Sequence, residues 1–138
     1  MNYIDAHMHI ADCKEWQLLP DVVQCSSCHT EQEFLFVESL SQKYPNHVFP
    51  TLGIHPQNPD ATLFPLLEKL AEEQRLSAVG EAGFDFFTPE FAATWDLQRE
   101  VWHLQLELAQ RYQLPLVIHC RRAMDKIFLY CKELKKLP

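Results

Sequence analysis

Glycine is scarce in this chain of 138 residues: there are only three, beside nine prolines and five cysteines. That scarcity excludes collagen-like and glycine-rich disordered proteins, and a content of 47% hydrophobic and 22% charged residues is typical of a globular fold. We expect residues 1–138 to form a single domain. No apolar run approaches the roughly 20 residues that a membrane-spanning helix needs. The N-terminal residues lack the basic start and long apolar stretch of a signal peptide, so we expect a cytoplasmic protein with no membrane partner.

Basic residues are also in the minority, and the formal net charge of −7 excludes a generally basic surface for nucleic acid. The charge is uneven, however. Residues 1–120 contain 6 Lys and Arg against 17 Asp and Glu, whereas residues 121–138 contain 6 against 2. A phosphate-bearing ligand would therefore need either this local basic cluster or a metal ion.

Short apolar segments typical of strands alternate with amphipathic segments typical of helices. This alternation predicts a parallel sheet connected by right-handed crossovers, in which chemistry gathers at the carboxyl ends of the strands. The clearest helical pattern is Trp95–Tyr112, and a capping box of Thr30 and Glu33 opens another over 30–44. Two more helices are predicted over 63–70 and 124–134. The predicted strands are Tyr3–Ile10, Val22–Cys25, Val48–Ile54, Ala78–Gly83 and Leu116–Cys120.

The first predicted strand contains a His-x-His motif, His7-Met8-His9. Side chains two apart on a strand point to the same side, so both imidazoles face one point and suit a transition metal. Asp5 has the same parity and is a candidate to orient one of the rings. The alternative is a pair of surface histidines near the terminus.

Two carboxylates lie at the carboxyl end of the fourth predicted strand, in the segment Gly80-Glu81-Ala82-Gly83-Phe84-Asp85. A glutamate inside an apolar run is costly to bury unless it is paired or binds a cation. The two flanking glycines and the second acid, Asp85, favour a functional role over an exposed turn. We expect the glycines to lie where the backbone passes close to another group.

The fifth predicted strand ends in His119-Cys120-Arg121-Arg122. On its own, His119 would be interpreted as a core histidine whose ring nitrogens are hydrogen-bonded. Together with the other strand ends, it becomes a candidate for a metal cluster. Arg121 and Arg122 then stand where a phosphate would need donors, because guanidinium groups bind phosphate oxygens bidentately. The alternative for the arginines is a solvated helix start.

Four motifs in this order, His-x-His, Gly-x-His-Pro at Gly53, Gly-Glu-x-Gly-x-Asp and Val-Ile-His-Cys-Arg, resemble the TatD family of metal-dependent deoxyribonucleases. The resemblance runs from Asp5 to about Leu134. It implies an incomplete TIM (β/α)8 barrel of about five parallel strands with helices, lacking the C-terminal strands. In the family pattern, a further metal-binding histidine and a metal-binding aspartate lie beyond the part that this chain matches.

The resemblance also implies roles for individual residues. His7 and His9 would bind one divalent ion, Glu81 would bridge two ions and take part in catalysis, and His119 would bind the second. His55 and Asp85 would line the substrate pocket, and Arg121 would contact phosphate. Two cations, of Zn, Mg or Mn, would then hydrolyse a phosphodiester bond in DNA. Because the later ligands are missing, we expect weak or no activity, and association with a second copy or with a complementing C-terminal fragment.

Three other interpretations stay open. The first is a non-catalytic half-barrel that acts as an assembly partner. The second concerns Cys25-Ser-Ser-Cys28-His29, which matches a Cys-x-x-Cys redox pair, a zinc site or a haem attachment site. The third is another barrel hydrolase with a His-x-His start, although the cyclic-amide hydrolases use a bridging lysine where this chain has Glu81.

Overall fold

A sheet of five parallel strands forms the centre of the computed structural model, which describes residues 3–138. The strand order in space equals the order along the chain, so each strand pairs with its predecessor. The fold class predicted from the sequence, a partial (β/α) barrel of five parallel strands with helices, is confirmed. The strands are β1 (Tyr3–Met8), β2 (Val22–Cys28), β3 (Val48–Leu52), β4 (Ala78–Asp85) and β5 (Leu116–Arg121).

Helices follow the strands and cover one face of the sheet. Three of them, together with β3 and β4, form the main core, in which Phe34, Leu67 and Leu108 are almost fully buried. A second core cluster surrounds Phe84 and Trp102. The helices are α1 (Glu31–Lys43), α2 (Phe64–Glu72), α3 (Pro89–Ala93), α4 (Trp95–Tyr112), α5 (Met124–Phe128) and α6 (Cys131–Leu134). No helix in residues 3–138 is long and apolar enough to cross a membrane.

Helix α4 spans the residues that the hydrophobic stripe predicts, and α1 begins where the capping box predicts. The Thr30 hydroxyl accepts a hydrogen bond from the Glu33 backbone N–H at 3.2 Å. The second half of the box differs from the usual arrangement, because the Glu33 carboxylate accepts from the His29 backbone N–H at 2.7 Å. This hydrogen bond therefore attaches the backbone of His29 to the first turn of α1.

Some predicted element boundaries are wrong. Strand β1 ends at Met8 rather than Ile10, because the pairing with β2 shifts register after Asp5 and Ile10 begins a 3₁₀ turn over Ile10–Asp12. Strand β3 ends at Leu52 rather than Ile54. Strand β2 runs on to Cys28 and β4 to Asp85, because their neighbours continue the ladder. The helix predicted over 124–134 is two short helices, α5 and α6.

Glycines stand where two strands approach closely, as the sequence predicts. A Cβ atom added at Gly53 would lie 2.5 Å from the backbone of Gly80, and one added at Gly83 would collide with the carbonyl of His119. Strand β4 is therefore pressed against both of its neighbours at the end of the sheet where the polar residues gather. This close approach brings the side chains of β4 and β5 within hydrogen-bond reach.

Candidate metal centre

Five of the seven histidines come together at the carboxyl ends of the strands. Their rings form a continuous row with centroid separations of 4.9, 5.3, 4.8 and 4.4 Å. Each of β1, β2, β3 and β5 contributes at least one ring, at or just beyond its last residues. In order along the row they are His7, His9, His29, His55 and His119.

Glu81 on β4 lies at the centre of this row and is only 7% exposed. Its Oε1 lies 3.5 Å from His7 Nε2 and 3.4 Å from His119 Nδ1. Its Oε2 lies 3.4 Å from His9 Nε2 and 3.1 Å from His29 Nε2. Burial acts to raise the pKa of the Glu81 carboxyl, but the hydrogen bonds from His119 and His29 outweigh it and lower the pKa. The carboxyl is therefore an anion among imidazoles.

The contacts of His7 and His9 with Ser27 turn the Nε2 atom of each ring toward this anion. His9 Nδ1 donates to the backbone carbonyl of Ser27 at 3.2 Å, and His7 Nδ1 lies 2.9 Å from the Ser27 hydroxyl. A neutral imidazole whose Nδ1 donates keeps its lone pair on Nε2. In His9 that lone pair faces a carboxylate oxygen 3.4 Å away, an arrangement that repels unless a cation or a proton lies between them.

The spacing of these atoms fits a bound cation. Ligands about 2.0–2.2 Å from a tetrahedral ion lie about 3.3–3.6 Å from one another. The imidazole–carboxylate separations of 3.1–3.5 Å are close to that range. Two sets of three residues offer ligand atoms that lie within 4.8 Å of one another, and they share Glu81: His7 with His9, and His29 with His55. Imidazole together with carboxylate is a ligand set for Zn²⁺ and Mn²⁺.

Asp5 does not orient either ring of the His-x-His motif. Its carboxylate accepts a hydrogen bond from the His7 backbone N–H at 3.3 Å, while the His7 ring nitrogen meets Ser27 instead. The expectation based on parity is wrong for Asp5, because β1 changes register immediately after it. Ser27 on β2 takes the orienting part for both histidines.

His119 is held from the other side by Asp85. His119 Nε2 donates to Asp85 Oδ2 at 2.9 Å, and Gln57 Nε2 donates to the same oxygen at 2.9 Å. Asp85 is fully buried, and hydrogen bonds from the Phe87 N–H, Gln57 and His119 lower its pKa against the opposite effect of burial. The hydrogen bond to Glu81 raises the pKa of His119, although burial opposes it. A carboxylate that fixes the proton of a histidine on the far nitrogen is the usual support of a metal-binding ring.

His55 contacts the other imidazoles rather than only lining a pocket. Its Nε2 lies 3.1 Å from His119 Nδ1, and its Nδ1 accepts from the Gln57 backbone N–H at 3.2 Å. Burial, together with the neighbouring His119 and His29, lowers the pKa of His55 to about 4. The ring is therefore neutral at physiological pH and keeps one nitrogen free of a proton.

The sequence reasoning missed His29 and Gln57 as members of this site. His29 follows the last residue of β2 and was noted only beside the Cys-x-x-Cys motif. That motif lies within β2, where residues three apart point to opposite faces. Cys28 is buried in the core, and burial raises the pKa of its thiol to about 12. This geometry does not suit a redox pair or a shared ligand set, and the candidate metal groups of residues 3–138 contain no cysteine.

Arg121 and Arg122 both lie against Phe87 at the mouth of the site. The guanidinium carbon of Arg121 is 3.4 Å from the centroid of the Phe87 ring, and that of Arg122 is 5.0 Å away. Arg122 has a φ of 53°, which is a left-handed backbone conformation. The alternation of side chains along β5 therefore stops before Arg122. Neither arginine pairs with a carboxylate among the described residues. Stacking occupies a guanidinium face and leaves its N–H donors free in the plane.

An open cavity of about 400 Å³ gives access to the centre, with His9, His29, Glu81 and His119 in its wall. The fold and the site together define a partial (β/α) barrel with a candidate metal centre at the carboxyl ends of its strands.

The TatD-related DNase family matches residues 4–138, so this chain belongs to that family. It is 36% identical over 113 residues to the metal-dependent hydrolase YjjV of Escherichia coli, covering 75% of this chain and 41% of YjjV. The crystal structure of YjjV, a TatD homologue, superimposes with a TM-score of 0.78 at 25% identity, over 96% of this chain and 56% of YjjV.

Two further relatives carry more specific names. The 3′-5′ ssDNA/RNA exonuclease TatD of Pantoea sp. is 36% identical over 92 residues, which is 64% of this chain and 35% of that protein. The putative deoxyribonuclease TATDN3 of Mus musculus is 31% identical over 150 residues, covering 89% of this chain and 50% of that protein. The chain thus spans about a third to a half of the length of these relatives.

Proposed function

We propose that this chain binds divalent cations at Glu81 and hydrolyses phosphodiester bonds in DNA. The observation that carries the proposal is the buried Glu81 carboxylate with four imidazoles within 3.5 Å. Membership of the TatD-related DNase family and the names of the Pantoea and mouse relatives support the choice of DNA as the substrate class.

The proposal assigns metal-binding and orienting roles to individual residues. His7, His9, Glu81 and His119 are the proposed metal ligands, with Glu81 shared between two positions. When bound, divalent cations supply Lewis acidity to the phosphoryl group and to the attacking water. Asp85 holds the proton of His119 on Nε2 and so directs its Nδ1 at the centre. The names of the family and of the relatives do not specify which metal is bound. The nitrogen-rich ligand set favours Zn²⁺ or Mn²⁺ over Mg²⁺.

Substrate binding falls to the residues at the mouth of the cavity. Arg121 is the proposed phosphate contact, because stacking on Phe87 fixes its guanidinium while the in-plane donors stay free. His55 is the proposed residue of the pocket wall, and the buried Asp85 supports this wall through its hydrogen bonds with His119 and Gln57. An acidic chain with a basic mouth would direct a polyanion to this end of the sheet.

A cleavage assay tests the proposal. Metal-free protein is mixed with a labelled single-stranded DNA oligonucleotide, and Mg²⁺, Mn²⁺ or Zn²⁺ is then added. We expect cleavage only with a divalent cation, at a rate below that of full-length YjjV, and we expect Glu81→Gln to abolish it. The matched control, Glu107→Gln, removes an exposed carboxylate on α4 and should leave the rate unchanged. Absence of metal-dependent cleavage, or equal cleavage by Glu81→Gln, contradicts the proposal.

A second candidate function is that of a non-catalytic assembly partner, and the exposed edge of the sheet favours it. Strand β1 is exposed along Tyr3 to His7, with Ile4 71% exposed, and it pairs only with β2. An unpaired apolar edge is a template for association with another chain. In this case the partner is a second copy or a complementing fragment, and pure protein would bind metal without cleaving DNA.

A further inference from the structure

A second cavity lies next to the one that gives access to the candidate metal centre. Its volume is about 230 Å³, and His29, His55 and Asn58 stand in the walls of both cavities. Pockets for drug-sized ligands have roughly 300–1,000 Å³, so this smaller cavity fits a single ring system rather than a complete nucleotide. A ring bound here would lie directly beside the candidate metal centre.

The permanent charges in the wall of this second cavity are negative. Among residues 3–138, its lining includes the carboxylates of Glu31 and Asp60 and contains neither lysine nor arginine. The Asp60 carboxylate accepts a hydrogen bond from the Thr62 backbone N–H at 2.9 Å, which lowers the pKa of this carboxyl and keeps it ionised. An anionic wall repels phosphate, whereas Arg121 and Arg122 at the end of β5 attract it.

A fixed turn between β3 and α2 presents polar groups to the cavity. It has the sequence His55-Pro56-Gln57-Asn58-Pro59-Asp60, in which each proline fixes its own φ angle. The Asn58 N–H donates to the His55 carbonyl at 3.0 Å, and the Asp60 N–H donates to the Asn58 carbonyl at 2.8 Å. The side-chain amide of Asn58, in contrast, makes no hydrogen bond within residues 3–138. The turn thus holds its backbone in place and leaves this amide available to a ligand.

These groups match the hydrogen-bonding edge of a nucleobase. A carboxamide such as that of Asn58 pairs bidentately with adenine, and a carboxylate such as that of Asp60 accepts from the amino group of cytosine. Ile54 and Leu63 add apolar surface to the cavity wall, against which a planar ring packs. The combination of amide, carboxylate and apolar wall favours a base with an exocyclic amino group over thymine or uracil.

We propose that this second cavity binds the nucleobase next to the phosphate at the metal centre, and that Asn58 and Asp60 select bases with an exocyclic amino group. The inference rests on the proposed function and adds a direction to it. Strand β4, which contains Glu81, lies between β3 and β5. The phosphate contact, Arg121, is therefore on one side of Glu81, and the base pocket is on the other.

Nucleosides test this proposal without a phosphate group or a metal ion. Metal-free, isotope-labelled protein is titrated with 2′-deoxycytidine or 2′-deoxyuridine, which differ in an amino group or a carbonyl oxygen on the same ring carbon. Two-dimensional NMR follows the signals of the Asn58 side-chain amide and the Thr62 backbone N–H. We expect saturable shifts of both signals, with an affinity for deoxycytidine several-fold higher than for deoxyuridine.

The variant Asp60→Asn tests the carboxylate alone. Asparagine keeps an oxygen that accepts from the Thr62 N–H, but it removes the negative charge, so we expect deoxycytidine to bind several-fold more weakly. The matched control, Asp21→Asn, changes an exposed aspartate just before β2, at the opposite end of the sheet, and should bind as the wild type does. Circular dichroism of each variant checks that it is folded.

The outcomes separate this proposal from the proposed function. A preference for deoxycytidine that weakens in Asp60→Asn supports the base pocket even if the protein cleaves no DNA, which would contradict only the proposed function. Three results overturn the base pocket: equal affinity for the two nucleosides, wild-type affinity in Asp60→Asn, or no saturable shift at Asn58. In each of these cases the cleavage assay still decides the function.

Discussion

At the scale of single residues, the account depends on which atoms face Glu81. A buried carboxylate normally meets hydrogen-bond donors, yet the Ser27 carbonyl fixes the proton of His9 on the nitrogen that points away from Glu81. His119 differs, because it hydrogen-bonds both Asp85 and Glu81. His9 therefore presents a lone pair to an anion, which makes a cation the natural occupant of the space between them.

Arg121 gives a prediction at this scale. Without divalent cations, so that no cleavage occurs, we expect Arg121→Ala to bind single-stranded DNA several-fold more weakly at low salt. The slope of log K against log salt should fall in magnitude by about 0.7, the change expected for the loss of one phosphate contact. Fluorescence anisotropy over a range of salt concentrations measures both quantities.

The control for this experiment is Arg111→Ala, which removes the same charge near the C-terminal end of α4. That end of α4 leads into the beginning of β5, opposite to the carboxyl ends of the strands. Affinity and salt slope should stay at the wild-type values. An Arg121→Ala variant with an unchanged slope would show that this arginine does not contact phosphate.

The sequence allowed most of the residues around Glu81 to be predicted, because each lies in or next to the end of a predicted strand, within a recognisable motif. His29 was missed for a definite reason. The run ending at Cys25 placed the end of β2 three residues too early, so His29 fell in a loop and was noted only for the adjacent cysteines. A strand whose small polar residues, Ser26 and Ser27, are buried gives no apolar signal.

At the scale of secondary structure elements, the cap of α1 connects helix stability to the site. We expect Thr30→Ala to lower the free energy of unfolding by about 1 kcal/mol, because the Glu33 N–H loses its acceptor. Thr30→Ser keeps the hydroxyl and should lose much less. Urea unfolding followed by circular dichroism measures the difference, and equal stability of the Ala and Ser variants would contradict the capping role.

The elements also show where pattern reasoning succeeds and where it does not. Helix α4 is long, and Val101 and Leu108 of its apolar stripe are buried in the core, so its limits follow from the sequence, although Leu97 at the start of the stripe is 51% exposed. The segment from Met124 to Leu134 has a similar stripe, but it is too short for the pattern to fix one helix and divides into α5 and α6. Tyr130 lies between the two and packs against Phe84 and Trp102.

At the scale of the whole molecule, the sheet has two end strands, β1 and β5. Because Ile4 on β1 is 71% exposed, we expect the chain to self-associate at micromolar concentration. Ile4→Glu should shift the sedimentation coefficient to that of the monomer. The control, Leu35→Glu, changes a 48% exposed leucine on α1 and should leave association intact. A compact wild-type monomer would contradict this expectation.

Anomalous X-ray diffraction from crystals grown with Zn²⁺ tests the central claim, a cation centre at Glu81, most directly. Data collected above and below the zinc absorption edge locate the ion without reference to activity. The account predicts an anomalous peak about 2.0–2.2 Å from Nε2 of His7, Nε2 of His9 and an oxygen of Glu81. Crystals in which saturating zinc gives no peak at Glu81, or gives peaks only at surface residues, would contradict it.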